Sequence, residues 1–228
     1  MLKKLNAIFK EIGIVVGFLY LADRCLTKIS PNLRILCHAF MVQPIPNKPL
    51  LPNNLTRSFE CHEIKRGDPN LTLMHPPPEI IESRFNQKAT CLGVFKNNTF
   101  IGYIWFSFSE YIEDESRCKY ILNPENSSVF DFDFYIFPEH RLGLAFMVIW
   151  NEANRFLSDR GIHQTFSRLT QSNIASKKAH AHLGWKRAGQ AIYLKAWHLE
   201  IMLATIRPFV GFSLRESGRI NIDLNTKT

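Results

Sequence analysis

The clearest alternation of apolar and polar side chains runs from Val129 to Phe137, V-F-D-F-D-F-Y-I-F. Phe130, Phe132, Phe134 and Ile136 fall on one face and Asp131, Asp133 and Tyr135 on the other. That pattern predicts a half-buried strand, ended by Pro138. From Leu142 to about Arg160 the period changes. Leu144, Met147, Val148, Ala153 and Phe156 recur at helical spacing and Gly161 supplies a stop. A strand, a tight turn and a helix N-terminus therefore follow one another here.

The same reading extends along the chain. Residues 2–28 form a helix containing the apolar run Ile12 to Ala22, which is too short to span a bilayer. Arg34 to Gln43 is a strand, and Pro44, Pro46, Pro49 and Pro52 mark an extended connection. Residues 57–65 give a short strand. Pro78 to Gln87 gives a short helix with prolines suited to its first turn. Ala89 to Phe95 and Thr99 to Phe108 form a hairpin about Asn97-Asn98. Residues 110–128 are polar and read as a loop, and His163 to Thr170 is a further strand. Trp185 to Leu199 is a strand or hairpin, Glu200 to Ile206 another strand, and Glu216 to Thr228 a loose polar tail. The organisation expected is an N-terminal helix (1–30), one main domain (31–212) and a C-terminal tail (213–228).

Composition narrows the partners. Lys plus Arg number 28 against 20 Asp plus Glu, a net charge of +8, which favours an anionic ligand or surface. No long basic run or nucleic-acid motif accompanies that charge, so nucleic acid is not expected. The five cysteines are widely spaced without a C-x-x-C pair. They point to free thiols in a reducing compartment, the cytoplasm. The eight histidines show no metal-ligand spacing, and no metal is expected. Lys3, Lys4 and Lys10 beside the apolar run give the N-terminal helix three uses: packing on the domain, self-association as a homodimer, or peripheral contact with an anionic membrane surface.

Two segments carry chemistry. The first is the turn Phe137-Pro138-Glu139-His140-Arg141-Leu142-Gly143-Leu144-Ala145. Backbone N–H groups and the positive end of a helix dipole converge in such a turn and suit a phosphate. The second is Asn173-Ile174-Ala175-Ser176-Lys177-Lys178-Ala179-His180-Ala181-His182-Leu183-Gly184-Trp185. Asn173 is a good N-cap, Gly184 suits the left-handed residue that ends a helix, and His180 lies two turns after Asn173. His182 points away from His180 and reads as surface.

Together these segments resemble the CoA-binding motifs of the GNAT N-acyltransferases. The late motif of that family is N-x-x-[AS]-x-x-x-Y-x-x-x-G-F, and its phosphate turn is [QR]-x-x-G-x-[GA]. Gly143 and Ala145 match the last two fixed positions of the turn. His140 stands at its first position, with Arg141 next, and His180 stands where the family often has Tyr. The resemblance covers roughly residues 78–200. It implies an α+β fold (an α/β/α sandwich), a mixed, mostly antiparallel sheet with helices on both faces. It also implies acetyl-CoA as co-substrate and a small-molecule or peptide amine as acceptor, attacked directly without a covalent enzyme intermediate. By the same resemblance Phe137, His140, Arg141, Leu142, Gly143, Leu144 and Ala145 would hold the pyrophosphate. Asn173 and Ser176 would serve the pantetheine side, and His180 would protonate the departing thiolate. Asp133, beside Asp131 on the preceding strand, would help deprotonate the amine. Two alternatives accompany this reading: transfer of a longer acyl group to an amino-sugar or lipid-linked acceptor at a membrane surface, and a non-catalytic CoA-binding member of the fold.

Overall fold

The computed structural model describes residues 9–124, 126–214 and 218–225. Lys3 and Lys4, and the ends of the expected tail, lie outside the described residues. The chain divides into two compact units.

The second unit in chain order, Pro44–Tyr111 with Pro124–Thr165, contains the helical turn α2 (Asn53–Thr56), β2 (Phe59–Ile64), α3 (Pro78–Asn86), β3 (Thr90–Lys96), β4 (Thr99–Ser107), β7 (Ser128–Ile136) and α4 (Ala145–Ser158). Its strands run in the order β7-β4-β3-β2, antiparallel throughout. The hairpin about Asn97-Asn98 forms as expected, both residues taking the left-handed conformation such a turn needs.

The alternation read for Val129 to Phe137 holds only in part. Tyr103 pairs with Tyr135 and Trp105 with Phe132, so Asp133 and Phe134 together face the single residue Ile104. This is a β-bulge, with Asp133 at φ +47°. It switches the face of every later residue. Phe130 and Phe132 stack with Tyr111 on one side, whereas Phe134 packs on Phe146 and Trp150 of α4. After the bulge Tyr135 and Phe137 return to the first side, against Tyr103 and Phe100. On that side α3 contributes Ile81 and Phe85 to a core with Cys91, Tyr103 and Trp105. Helices thus cover both faces of this unit's sheet. Helix α4 begins at Ala145 and not at Leu142.

The other unit, residues 1–43, 112–123 and 166–228, contains α1 (Ile14–Ile29), β1 (Leu33–Pro44), β6 (Cys118–Asn123), α5 (Ile174–Ala181), β9 (Lys186–Ala196), β10 (Leu199–Ala204), β11 (Val210–Leu214) and β12 (Ile220–Asn225). Most of β8 (Gln164–Thr170) belongs here, and β5 (Glu110–Ile112) ends at the unit's boundary. The expected N-terminal helix is broken at Gly13, whose φ of +83° separates residues 9–12 from α1. Asp23 closes the apolar run for a reason: its carboxylate accepts from Ile35 N at 2.8 Å and from Arg34 Nε at 2.9 Å, fastening α1 to β1. No helix among the described residues is long and apolar enough to cross a membrane.

The expected loop at 110–128 and the expected loose tail both contain strands. Cys118 to Asn123 pairs in parallel with Ile220 to Asn225, and Ile220, Ile222 and Leu224 are buried. The two short segments alternate in phase, so Cys118, Tyr120 and Leu122 are buried beside Ile220, Ile222 and Leu224. Trp197-His198 turns β9 into β10, and β11 continues the same antiparallel ribbon.

Candidate functional site

Strand β7 leads directly into the turn singled out in the sequence. Phe137 N donates to Ile101 O at 3.0 Å and its ring packs on Phe100 and Tyr135, so the start of the turn is anchored in the core. Pro138 to His140 form one 3-10 turn. Arg141 folds back: its Nε donates to Ile136 O at 2.9 Å and its guanidinium carbon lies 5.3 Å from the Tyr135 ring centre. Leu142 is 95% exposed. Gly143 has φ +111°, and a Cβ there would meet nothing within 4 Å. The backbone is therefore open to an incoming group, in a conformation that L side chains rarely adopt.

Leu144 then precedes α4 without any side-chain cap, and no acidic residue lies in the helix's first turn. The first N–H groups of a 14-residue helix, with the positive end of its dipole, point out of an exposed glycine turn. His140, Gly143 and Ala145 line a cavity of about 310 Å³ together with Ser58, Lys96 and Glu139. A basic side chain near a helix N-terminus suits a phosphate. Ala145 itself is buried and supports the turn from beneath. The cofactor-binding residues expected at 137–145 are thus brought together in one unit, though Arg141 is turned toward the strand end.

Asp133 sits on the bulge, four residues before the turn. Its Oδ2 accepts from Arg84 Nη1 at 2.5 Å, and the Arg84 guanidinium lies over the rings of Trp105 and Phe132. Arg84 escaped the sequence reading. Its signal was present: on α3 it shares a face with Ile81 and Phe85, and a charge on an apolar helix face needs a partner. Asp131 faces the other way. It is buried and accepts a hydrogen bond from the Thr165 hydroxyl.

In the other unit the Asn173 segment folds as read. Asn173 Oδ1 accepts from Ser176 N at 3.1 Å and caps α5, and Gly184 ends the helical segment with φ +75°. His182 is exposed. His180 is 4% exposed and its ring lies 4.0 Å from that of Trp185. Its Nδ1–H donates to Ser176 O at 2.7 Å. Burial pushes its pKa down to about 4, against the opposing pull of the Ser176 carbonyl. Burial thus disfavours the imidazolium form of His180.

This unit also holds a partly buried ion-pair network that the sequence did not disclose. Arg168 on β8 reaches Glu113 at 3.1 Å, Glu115 at 2.9 Å and His38 Nε2 at 3.1 Å. Desolvation holds His38 well below its usual pKa, so its neutral ring accepts from the guanidinium. Among the described residues no group of three His, Cys, Asp or Glu could hold a metal ion.

No family model and no curated protein matches the chain in sequence. Solved structures do match in shape. One is a tandem GNAT protein from the clavulanic acid biosynthesis pathway, with a TM-score of 0.50 at 10% identity over 71% of this chain and 53% of that one. Another is the GCN5-related glucosamine N-acetyltransferase region of a fungal multi-domain GH3 β-N-acetylglucosaminidase. It has a TM-score of 0.50 at 11% identity over 76% of this chain and 22% of that one. The chain spans about half the length of the first and about a fifth of the second. At such identities the likeness is one of fold.

Proposed function

With the GNAT fold as premise, we propose that this chain is a CoA-dependent N-acyltransferase that passes an acetyl group from acetyl-CoA to a primary amine. One observation carries the reading: the uncapped N-terminus of α4, opening from an exposed left-handed glycine turn directly after a bulged strand. That arrangement offers free N–H donors, a favourable dipole and room for a bulky anion. The solved structures of the same fold include N-acetyltransferases, which supports the reaction class.

In this reading the amides of Leu142 to Ala145 hold the pyrophosphate, with His140 and Arg141 at the rim of the turn. In the other unit Asn173 caps α5 through its bond from Ser176 N. The acceptor amine, once deprotonated, attacks the thioester carbonyl. The C–S bond breaks as the tetrahedral intermediate collapses, and the thiolate takes up the proton released by the amine. Asp133, kept beside Arg84, attracts the acceptor ammonium and assists its deprotonation through water. His180, its ring held by Ser176 O and packed on Trp185, positions α5 in this reading.

A second reading, transfer of a longer acyl group at a membrane surface, draws support from α1. That helix exposes Ile14, Val15, Phe18 and Ile29 beside Arg24 and Lys28.

The test is calorimetric titration of the chain with acetyl-CoA, CoA and a long-chain acyl-CoA, followed by thiol release with a panel of amines. Saturable micromolar binding, around −8 kcal/mol, with amine-dependent thiol release supports the proposal. Preference for the long-chain donor would move the reading to the second. Binding without turnover on any amine would leave a CoA-binding protein without this chemistry.

A further inference from the structure

The ribbon β9-β10-β11 has two unlike faces. Leu199 pairs with Ala196 and Leu214, Ile201 with Leu194 and Phe212, and Leu203 with Ile192 and Val210. Direct partners share a face, so these nine side chains form one continuous patch, and all nine are apolar. The opposite face carries Tyr193, Glu200, Met202 and Ser213, all buried in the unit's core. The apolar face is the one left uncovered. Phe212 is 75% exposed, Val210 65%, Leu214 59% and, at the turn beside them, Trp197 58%.

Taking roughly 150–250 Å² for a fully exposed large side chain, these residues with Leu194, Leu199 and Leu203 present on the order of 700 Å². The largest apolar patch on a typical monomer is about 300–600 Å². A standard specific interface takes roughly 800 Å² from each partner.

We infer that this face is a self-association surface, on which a second copy of the chain packs sheet against sheet. Three observations select that occupant. The area is close to what one partner of a stable dimer gives up. No charged or hydrogen-bonding side chain interrupts the nine positions, so the surface is complementary to itself, as a two-fold contact requires. A membrane-facing element would interleave basic with apolar side chains, whereas this patch has none within it. Sheets bury apolar faces by stacking on other sheets, and β11, at the end of the strand order, leaves the ribbon open on its outer side. The inference is independent of the proposed chemistry.

Light scattering coupled to size-exclusion chromatography on the full chain tests it. The wild type is expected at twice the chain mass at micromolar concentration. Phe212→Glu and Leu203→Glu should each raise the dimer dissociation constant about 100-fold or more, since each would bury a charge in the contact. Both positions face outward, so far-ultraviolet circular dichroism should be unchanged. Phe212→Ser and Leu203→Ser provide milder versions should either Glu variant fail to fold. Leu73→Glu, an exposed apolar position in the other unit, should leave the dimer intact. A wild type that stays monomeric overturns the inference, and so does a dimer that survives both substitutions. A monomer that sediments with anionic vesicles through Phe212 and Leu203 would overturn it in favour of a lipid surface.

Discussion

Asp133 and Arg84 are joined across one face of the β7-β4 sheet by a 2.5 Å ion pair, and each explains the other's unusual setting. Arg84 lies on the apolar face of α3 with its guanidinium over Trp105 and Phe132. Asp133 reaches it because the bulge turns it at φ +47°. Asp is one of the few side chains that tolerates that backbone region.

Arg84→Met should therefore cost about 2–4 kcal/mol, since it leaves a half-buried carboxylate without its partner. Asp133→Asn keeps a residue suited to the bulge and removes the charge. The double variant should be more stable than Arg84→Met alone, as the orphaned charge is then gone. Urea denaturation of the four forms measures the coupling. Costs that simply add would show that the pair contributes nothing beyond its parts.

Gly143 separates two effects. Gly143→Ala finds open space for its Cβ but must adopt φ +111°. It should lose about 1 kcal/mol of stability and bind acetyl-CoA only a few-fold more weakly. Gly143→Glu meets the same backbone strain and adds an anion at the mouth of the turn, so it should abolish detectable binding. Calorimetry on the two variants checks this. Equal affinities for both would place the nucleotide elsewhere than the turn.

Much of the fold and part of the candidate site were legible before any coordinates. The N-cap Asn173, the stop at Gly184 and the turn after β7 follow from local rules, and local rules are what a sequence displays. The bulge at Asp133 was not legible, because F-D-F-D-F continues to alternate while the backbone skips a residue. Only the register with β4 reveals the skip. Strand β12 was hidden for a similar reason. I-N-I-D-L-N has the right period, but its small size and polar flanks let it pass for tail until its partner β6 is known. The setting of His180 was hidden too, since burial by Trp185 is a tertiary fact.

Strand β12 gives a prediction of its own. Ile222 is fully buried where β12 lies parallel to β6, opposite Tyr120. Ile222→Ala should destabilise the chain by about 2–4 kcal/mol through lost burial and the cavity left behind. Asn221, exposed on the same strand, should tolerate Ala within about 0.5 kcal/mol. Thermal and urea unfolding distinguish the two. Equal, small effects would mean that residues 220–225 do not pack as a strand in solution.

His180 supplies the pH dependence. Its pKa falls from an ordinary 6.5 to about 4 on folding, because burial penalises the imidazolium. Between those values the unfolded chain binds a proton that the folded chain does not. The contribution is therefore fully present above pH 6.5 and is lost as the pH falls toward 4, in total up to about 3 kcal/mol. His180→Phe fills a similar volume against Trp185 and cannot be protonated. It loses the bond to Ser176 O, so it should be slightly less stable at pH 7.5, yet its stability should decline less steeply between pH 6.5 and pH 4. If His180 positions α5 and donates no proton to the thiolate, turnover of His180→Phe near neutral pH should stay within about threefold of wild type. A thiolate acid would instead cost roughly 100-fold or more on removal. Stability curves and thiol-release rates measured on the same pH series decide the matter. A steep loss of rate with unchanged acetyl-CoA affinity would restore His180 to the chemistry.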